Sequence, residues 1–215
     1  MRFDPWSVRA VGVCSVIAII LVCVSCDEHI IQRAASDYFQ YEPGNWWRLI
    51  GTADTLYVEV ESPDTIDQIE VIPVSYNGKA RFVFEGDEAL YEHISVVYTF
   101  SGSEYPVIDD FIARIELPFV NGNTWHDSLT GSIEVAGQEV TAQYHVWGSI
   151  IDCQYSDTYD GDVYTIEIMT RTQMVTSDTT VTDSVSVREE FAPGIGIVRF
   201  HSGTEEYFLT DYLVQ

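Results

Sequence analysis

The chain has 215 residues and a formal net charge of −24, from 34 acidic against 10 basic side chains, and its only lysine is Lys79. So acidic a surface, with no cationic patch, repels phosphate backbones and anionic headgroups, which excludes nucleic-acid binding. Hydrophobic residues make up 46% of the chain, enough to bury a core in one or two domains.

In chain order the first feature is an export leader. Arg2 and Arg9 precede an apolar run, Ala10 to Val24, that ends at Ser25-Cys26. A basic start, a core of about 15 apolar residues and a small residue before the cut describe a signal peptide over residues 1–25. The run is shorter than the ~20 residues of a membrane-spanning helix. Its ending, "LVCVSC", resembles a bacterial lipoprotein box, in which a cysteine becomes the first mature residue and is acylated. Cys26 is the candidate, with Cys23 as the alternative, and residues 26–37 are then the lipidated cysteine and its tether. Each buried methylene of such an anchor adds ~0.8 kcal/mol of membrane affinity. The expected location is the bacterial cell envelope, with the exported domain in the periplasm or on the outer surface. Asp27 signals inner-membrane retention in some bacteria, so the destination membrane stays open.

Residues 28–40, "EHIIQRAASDYFQ", read as a short helix or as part of the tether. From Thr55 onward the signal is alternation, the period of half-buried strands. "TLYVEVE" and "QIEVIPV" are followed by "VSYNGKARFVF", where Asn77-Gly78 between two alternating runs marks a tight hairpin. "ISVVYTF" and "FIARIELPF" continue the series. "GSIEVAGQEVTAQYHVW" predicts two strands about Ala136-Gly137. "VYTIEIMTRTQMV" and "VTDSVSVREEF" predict long strands joined across residues 177–180, and "IGIVRF" and "EYFLTDYLV" close the chain. The fold class is all-β, a strongly curved antiparallel sheet with at most one short N-terminal helix.

One phrase occurs twice: Phe39-x-Tyr41-x-x-Gly44-Asn45-x-Trp47 and Leu117-x-Phe119-x-x-Gly122-Asn123-x-Trp125. Gly-Asn supplies a turn with positive φ, and the tryptophan then starts a strand with a large buried ring. Two successive β units follow, 38–116 and 117–215, forming one sheet or two.

"LPFVNGNTW", then "EEFAPGIGIVRF" and "EEYFLTDY", resemble the tail of a group of bacterial envelope lipoproteins with an opening G-x-x-W motif and a closing PGvGlV motif. Leu117, Pro118, Gly122, Trp125, Pro193, Gly194, Gly196 and Val198 stand on the matching positions, while Arg199 stands where lysine is frequent. The group has no assigned activity and is similar to the LolA/LolB lipoprotein carriers. The resemblance implies a half-barrel whose concave face can hold acyl chains.

No catalytic constellation stands out. "PGIGIV" lacks the Lys-Ser/Thr of a P-loop and opens a strand, so it reads as a turn. His29, His93, His126, His145 and His201 are scattered singly, and adjacent residues such as His126-Asp127-Ser128 point to opposite faces of a strand. Cys153, the one cysteine after Cys26, reads as a small apolar core residue. Asp157, Asp160 and Asp162 around Gly161 form the candidate metal loop, able to wrap a weakly bound calcium ion, against the alternative of a solvated hairpin loop. No other cofactor is expected. Trp47, Tyr57, Tyr98, Trp125, Tyr144 and Trp147, together with Trp46, are candidates for an apolar groove, against an ordinary sheet core.

The expected function is a non-enzymatic, lipid-anchored envelope protein acting by binding or interaction at the membrane surface. The alternative is a carrier of lipid or another apolar ligand, and an envelope hydrolase is a third reading. The expected partners are the membrane, through the lipid, and an apolar ligand or an envelope protein; the oligomeric state is open.

Overall fold

The computed structural model describes residues 37–215. The leader, Cys26, Cys23 and most of the 28–40 segment lie outside the described residues. The strands are β1 (Trp46–Ile50), β2 (Thr55–Val60), β3 (Asp64–Ile66), β4 (Ile69–Tyr76), β5 (Lys79–Glu85), β6 (Ala89–Phe100) and β7 (Ser103–Glu116). They continue with β8 (Thr124–Val135), β9 (Gln138–Ser156), β10 (Gly161–Val175), β11 (Thr180–Ala192), β12 (Gly196–Ser202) and β13 (Glu205–Leu213). Every pairing among them is antiparallel, in the order β7-β6-β5-β4-β2-β1-β13-β12-β11-β10-β9-β8, with β3 hydrogen-bonded to β4 off this path.

The strands form where alternation buries one face. In β2 Leu56, Val58 and Val60 point inward and Tyr57 and Glu59 outward, and β9 buries Val140, Ala142, Val146 and Ile150 in the same phase. The hairpin ends follow turn chemistry: Asn77-Gly78, Ser101-Gly102 and Ala136-Gly137 all have positive φ at both central residues, the geometry that matches the twist of a two-residue β-turn. Residues 176–179 close the β10–β11 hairpin through a bond from Thr176 N–H to the Thr179 carbonyl.

The sheet curls until its two ends, β7 and β8, meet. They share no backbone ladder. Side chains join them instead: Ala113 N–H donates to Asp127 Oδ2 (2.9 Å), and Trp125 Nε1–H donates to the Arg114 carbonyl (3.0 Å). Gly131 of β8 lies directly beneath the Val107 carbonyl of β7. The expected curved antiparallel sheet is therefore present, and its curvature runs past a half-barrel to a nearly closed barrel. The strands of 38–116 and those of 117–215 each occupy one consecutive run in the sheet, joined where β1 pairs with β13.

The twice-used phrase builds the same corner twice. Gly44 N–H donates to the Val60 carbonyl and Val60 N–H to that of Asn45; Gly122 N–H donates to Ile150 and Ile150 N–H to Asn123. Both glycines have left-handed φ, 92° and 86°, where a side chain would strain the backbone. Trp47 and Trp125 then enter the core, 1% and 6% exposed. The first corner and the residues before it plug the barrel interior, with Tyr38 and Phe39 buried in the core. There Tyr38, Phe39, Phe119, Tyr164 and Phe191 meet edge-to-face or tilted, with centroids 5.1–6.5 Å apart. Gly194 N–H donates to the Asp37 carbonyl and so ties the plug to the turn between β11 and β12.

A β-carbon added at Gly131 would sit 1.8 Å from the Val107 carbonyl oxygen, backbone that cannot step aside cheaply. Gly131→Ala is expected to force β7 off β8 and to lower stability by about 3 kcal/mol, read as a fall in the urea midpoint. An unchanged midpoint would mean that the two strands do not close the barrel there.

Candidate functional site

Two regions combine polar groups and aromatic rings in a way that could carry function: the centre of the barrel and the outer face of β2, β1 and β13. In the centre lies a cluster of four charges. Arg114 Nη1 donates to Glu92 Oε2 at 2.7 Å and its Nη2 to Glu189 Oε1 at 2.9 Å. Arg81 lies 3.5 Å from Glu189 and 3.8 Å from Glu92. Glu92, Arg114 and Glu189 are buried, and the two cations balance the two anions. Burial works against the charge of Arg114, but the carboxylates of Glu92 and Glu189 outweigh it and hold the guanidinium well above its ordinary value.

Two phenols surround the cluster. Desolvation, reinforced by the Glu189 charge, pushes Tyr76 up to about 12; Tyr41 is raised as well, by burial first and then by Tyr76 and Glu189. The Arg81 guanidinium stacks on the Tyr76 ring at 4.5 Å. The cleft between Tyr41, Trp47, Tyr76 and Phe191 has no room for a water molecule. These are paired, enclosed charges that hold walls together.

The outer face is different. In β1 the inward residues are Trp47 and Leu49, so Trp46, Arg48 and Ile50 point out. Register places Tyr57 opposite Arg48 and Glu59 opposite Trp46 on β2, and Leu213 opposite Trp46 and Phe208 opposite Ile50 on β13. Ile50, Tyr57, Phe208 and Leu213 are each 44–53% exposed, a run of large apolar side chains across three neighbouring strands. Arg48 stands in the middle, 3.4 Å from Asp211, and Arg199 covers the Phe208 ring at 4.7 Å. Between Trp46, Arg48, Tyr57 and Glu59 lies a recess of about 240 Å³.

The expected groove residues part company. Trp47 and Trp125 are buried; Tyr98 and Tyr144 pack on the core from inside. Tyr57 is on the outer strip, and Trp147 is on the outside of β9, against His126 and His145 with centroids 5.1 and 5.2 Å away. The six therefore do not line one groove, because alternation sends neighbouring rings to opposite faces. The histidines are not all single: His126 Nε2 and His145 Nδ1 lie 3.3 Å apart across β8 and β9, within hydrogen-bond distance.

Asp157 and Asp160 are in the β9–β10 turn and Asp162 is on β10. Asp160 accepts a bond from the Tyr155 hydroxyl (2.8 Å), and no cluster of three ligating side chains that could hold a metal ion occurs among the described residues. Cys153 is a free, half-buried thiol raised by burial, the reverse of an activated nucleophile.

Arg48, Ile50, Glu59, Phe208 and Leu213 are the outer-strip residues that the candidate groove set did not contain; Trp46 and Tyr57 were in it. The signal was the pair "WW": adjacent strand residues face opposite ways, so a buried Trp47 requires an outward Trp46.

No protein-family model matches the chain, and no curated protein matches it. Among solved structures the chain is similar to the crystal structure of a candidate lipoprotein from Parabacteroides distasonis, at 10% identity and a TM-score of 0.41, over 80% of this chain and 96% of that one. The likeness to LolA/LolB carriers, drawn from the opening and closing motifs, has no family match beside it.

Arg114→Met leaves two carboxylates in the core with only Arg81 to compensate, and is expected to cost about 3–5 kcal/mol in urea unfolding. Adding Glu189→Gln to that variant is expected to return part of the loss, the non-additivity of one network. A pH effect follows from Tyr76. Its unfolded phenol ionises near 10 and its folded one at about 12. Its contribution to stability is thus complete below pH ~10 and is lost as pH rises to ~12, by roughly 2 kcal/mol. Tyr76→Phe is expected to flatten that stretch of the stability–pH curve.

Proposed function

We propose that this protein is a lipid-anchored component of the bacterial cell envelope that acts by binding, not catalysis, through the outer strip on β2, β1 and β13. The strip is the observation that carries this reading. Trp, Tyr and Arg are the side chains that dominate binding surfaces. Here Trp46, Tyr57 and Arg48 share one face with Ile50, Phe208 and Leu213. A contiguous apolar face of this kind is costly to leave in water and marks an interaction site. The cleft beside the buried charges, between Tyr41, Trp47, Tyr76 and Phe191, is too small for a water molecule, which favours the outside over the inside as the place where a partner is met. The leader and Cys26 supply the anchor, which keeps the strip at a membrane surface.

Two measurements test the two halves of the reading. Cys26→Ala in the full chain is expected to abolish incorporation of a labelled fatty acid and to release the protein from the membrane fraction. Labelling that persists in Cys26→Ala and vanishes in Cys23→Ala would move the anchor. A photo-crosslinking residue at position 57 or 208 is expected to give adducts in living cells, whereas one at position 134, on the β8–β9 hairpin, is not. Equal yields at all three positions would remove the strip from the reading.

A further inference from the structure

We infer that the recess between Trp46 and Tyr57 is a subsite for one neutral pyranose ring of an oligosaccharide, an inference that rests on the outer strip being the binding surface. Four side chains form its corners. Trp46 is directly opposite Glu59 and Arg48 directly opposite Tyr57, so the two aromatic rings occupy one diagonal and the two charged groups the other. On a sheet face, directly opposed side chains stand ~4.5–5.5 Å apart at Cβ and diagonal ones ~7–8 Å. That diagonal is about twice the ~3.5–4 Å contact distance between carbon atoms. At that spacing a ring seated in the recess of about 240 Å³ is within reach of both aromatic side chains.

The charged diagonal narrows what that ring can be. Arg48 only donates hydrogen bonds and an ionised Glu59 only accepts them. The Arg48 terminal Nη2 lies 3.4 Å from Asp211, while its Nε is buried with no hydrogen-bond partner among the described residues. An acyl chain seated here would strip water from Arg48 and Glu59 and return no hydrogen bond, a penalty of a few kcal/mol for each group. A nucleotide brings phosphates toward a chain of net charge −24, which repels them. A pyranose meets each demand. Its two faces carry C–H groups for the aromatic rings, and every hydroxyl on its rim both donates, to Glu59, and accepts, from Arg48. It is also uncharged. Ile50, Phe208 and Leu213 extend the apolar surface toward β13, where neighbouring sugar units of the same oligosaccharide would lie.

The test is a printed array of neutral oligosaccharides containing glucose, galactose, mannose and N-acetylglucosamine units, probed with the full-length protein in detergent. Titration calorimetry then follows with the best-retained member. Retention of at least one neutral glycan is expected, with Tyr57→Ala and Trp46→Ala each weakening it about tenfold or more. Glu59→Gln is expected to weaken it less, and Trp147→Ala, on the other side of the barrel, not at all. Tyr57 is exposed, so its replacement leaves the core intact, and cooperative thermal unfolding checks both ring variants. Retention of acidic glycans alone, retention of none, or binding indifferent to both Trp46→Ala and Tyr57→Ala would overturn the assignment. Crosslinks from position 57 to a protein chain, with no glycan retained, would overturn the sugar and leave the outer strip standing.

Discussion

The barrel depends on one buried electrostatic arrangement. Glu189 reaches inward from β11 and meets Arg114 of β7 and Arg81 of β5, while Glu92 of β6 closes the cluster. An isolated ion in that position would cost several kcal/mol in lost hydration; paired and hydrogen-bonded, the four roughly cancel. The cluster therefore contributes less to net stability than to choice of structure. A one-residue slip of β11 would turn Glu189 to solvent and take that partner from Arg114 and Arg81. The cluster thus favours the register in which Glu189 faces β5 and β7. The raised Tyr41 and Tyr76 are consequences of the same enclosure.

Around that centre the chain repeats itself. Each Gly-Asn corner exchanges two backbone bonds with a neighbouring strand and delivers a tryptophan to the core, at Trp47 in one half and Trp125 in the other. The tryptophans lock different partners. Trp47 Nε1–H donates to the Ile195 carbonyl in the turn before β12, and Trp125 Nε1–H to Arg114 at the β7–β8 seam. Asn45, fully buried, bonds the Gln40 carbonyl through its amide and accepts from Gln215 N–H through its oxygen, which ties the plug to the C-terminus. The outer strip follows from this anchoring: with Trp47 fixed inside, Trp46 and Arg48 must face out, next to Tyr57 and Leu213.

Much of the fold could be read from residues alone, because strand alternation and turn chemistry are local. The hairpins at Asn77-Gly78 and Ala136-Gly137 and the corners at Gly44 and Gly122 stand where those residue types require positive φ. The charged centre was also legible in part. Glu92 falls in phase between Leu90 and Ile94, and Glu189 between Val187 and Phe191, so a strict period of two already turns both carboxylates toward the core. Arg114 follows Ile112 in the same way, although the β6–β7 pairing shifts at that point, which puts Ile115 inside beside it. Which cation meets which anion could not be read, since β11, which carries Glu189, meets β5, β6 and β7 only through the curl of the sheet.

The candidate groove failed for the same reason in reverse. Trp47, Tyr57, Tyr98, Trp125, Tyr144 and Trp147 were grouped by residue type, but the parity of each position within its strand divides them between core, inner wall and outer face. His126 and His145, 19 residues apart, become neighbours through the β8–β9 register. The sequence by itself determined the all-β character, the turns, the two corners and the acidic surface, because each depends on contacts a few residues long or on composition. Only the tertiary structure decided the closure of β7 on β8, the four-charge centre and the outer strip. The charged centre and the outer strip join residues from strands distant in the chain, and the β7–β8 seam joins the two ends of the sheet; all three are set by sheet order and register, which no local pattern encodes.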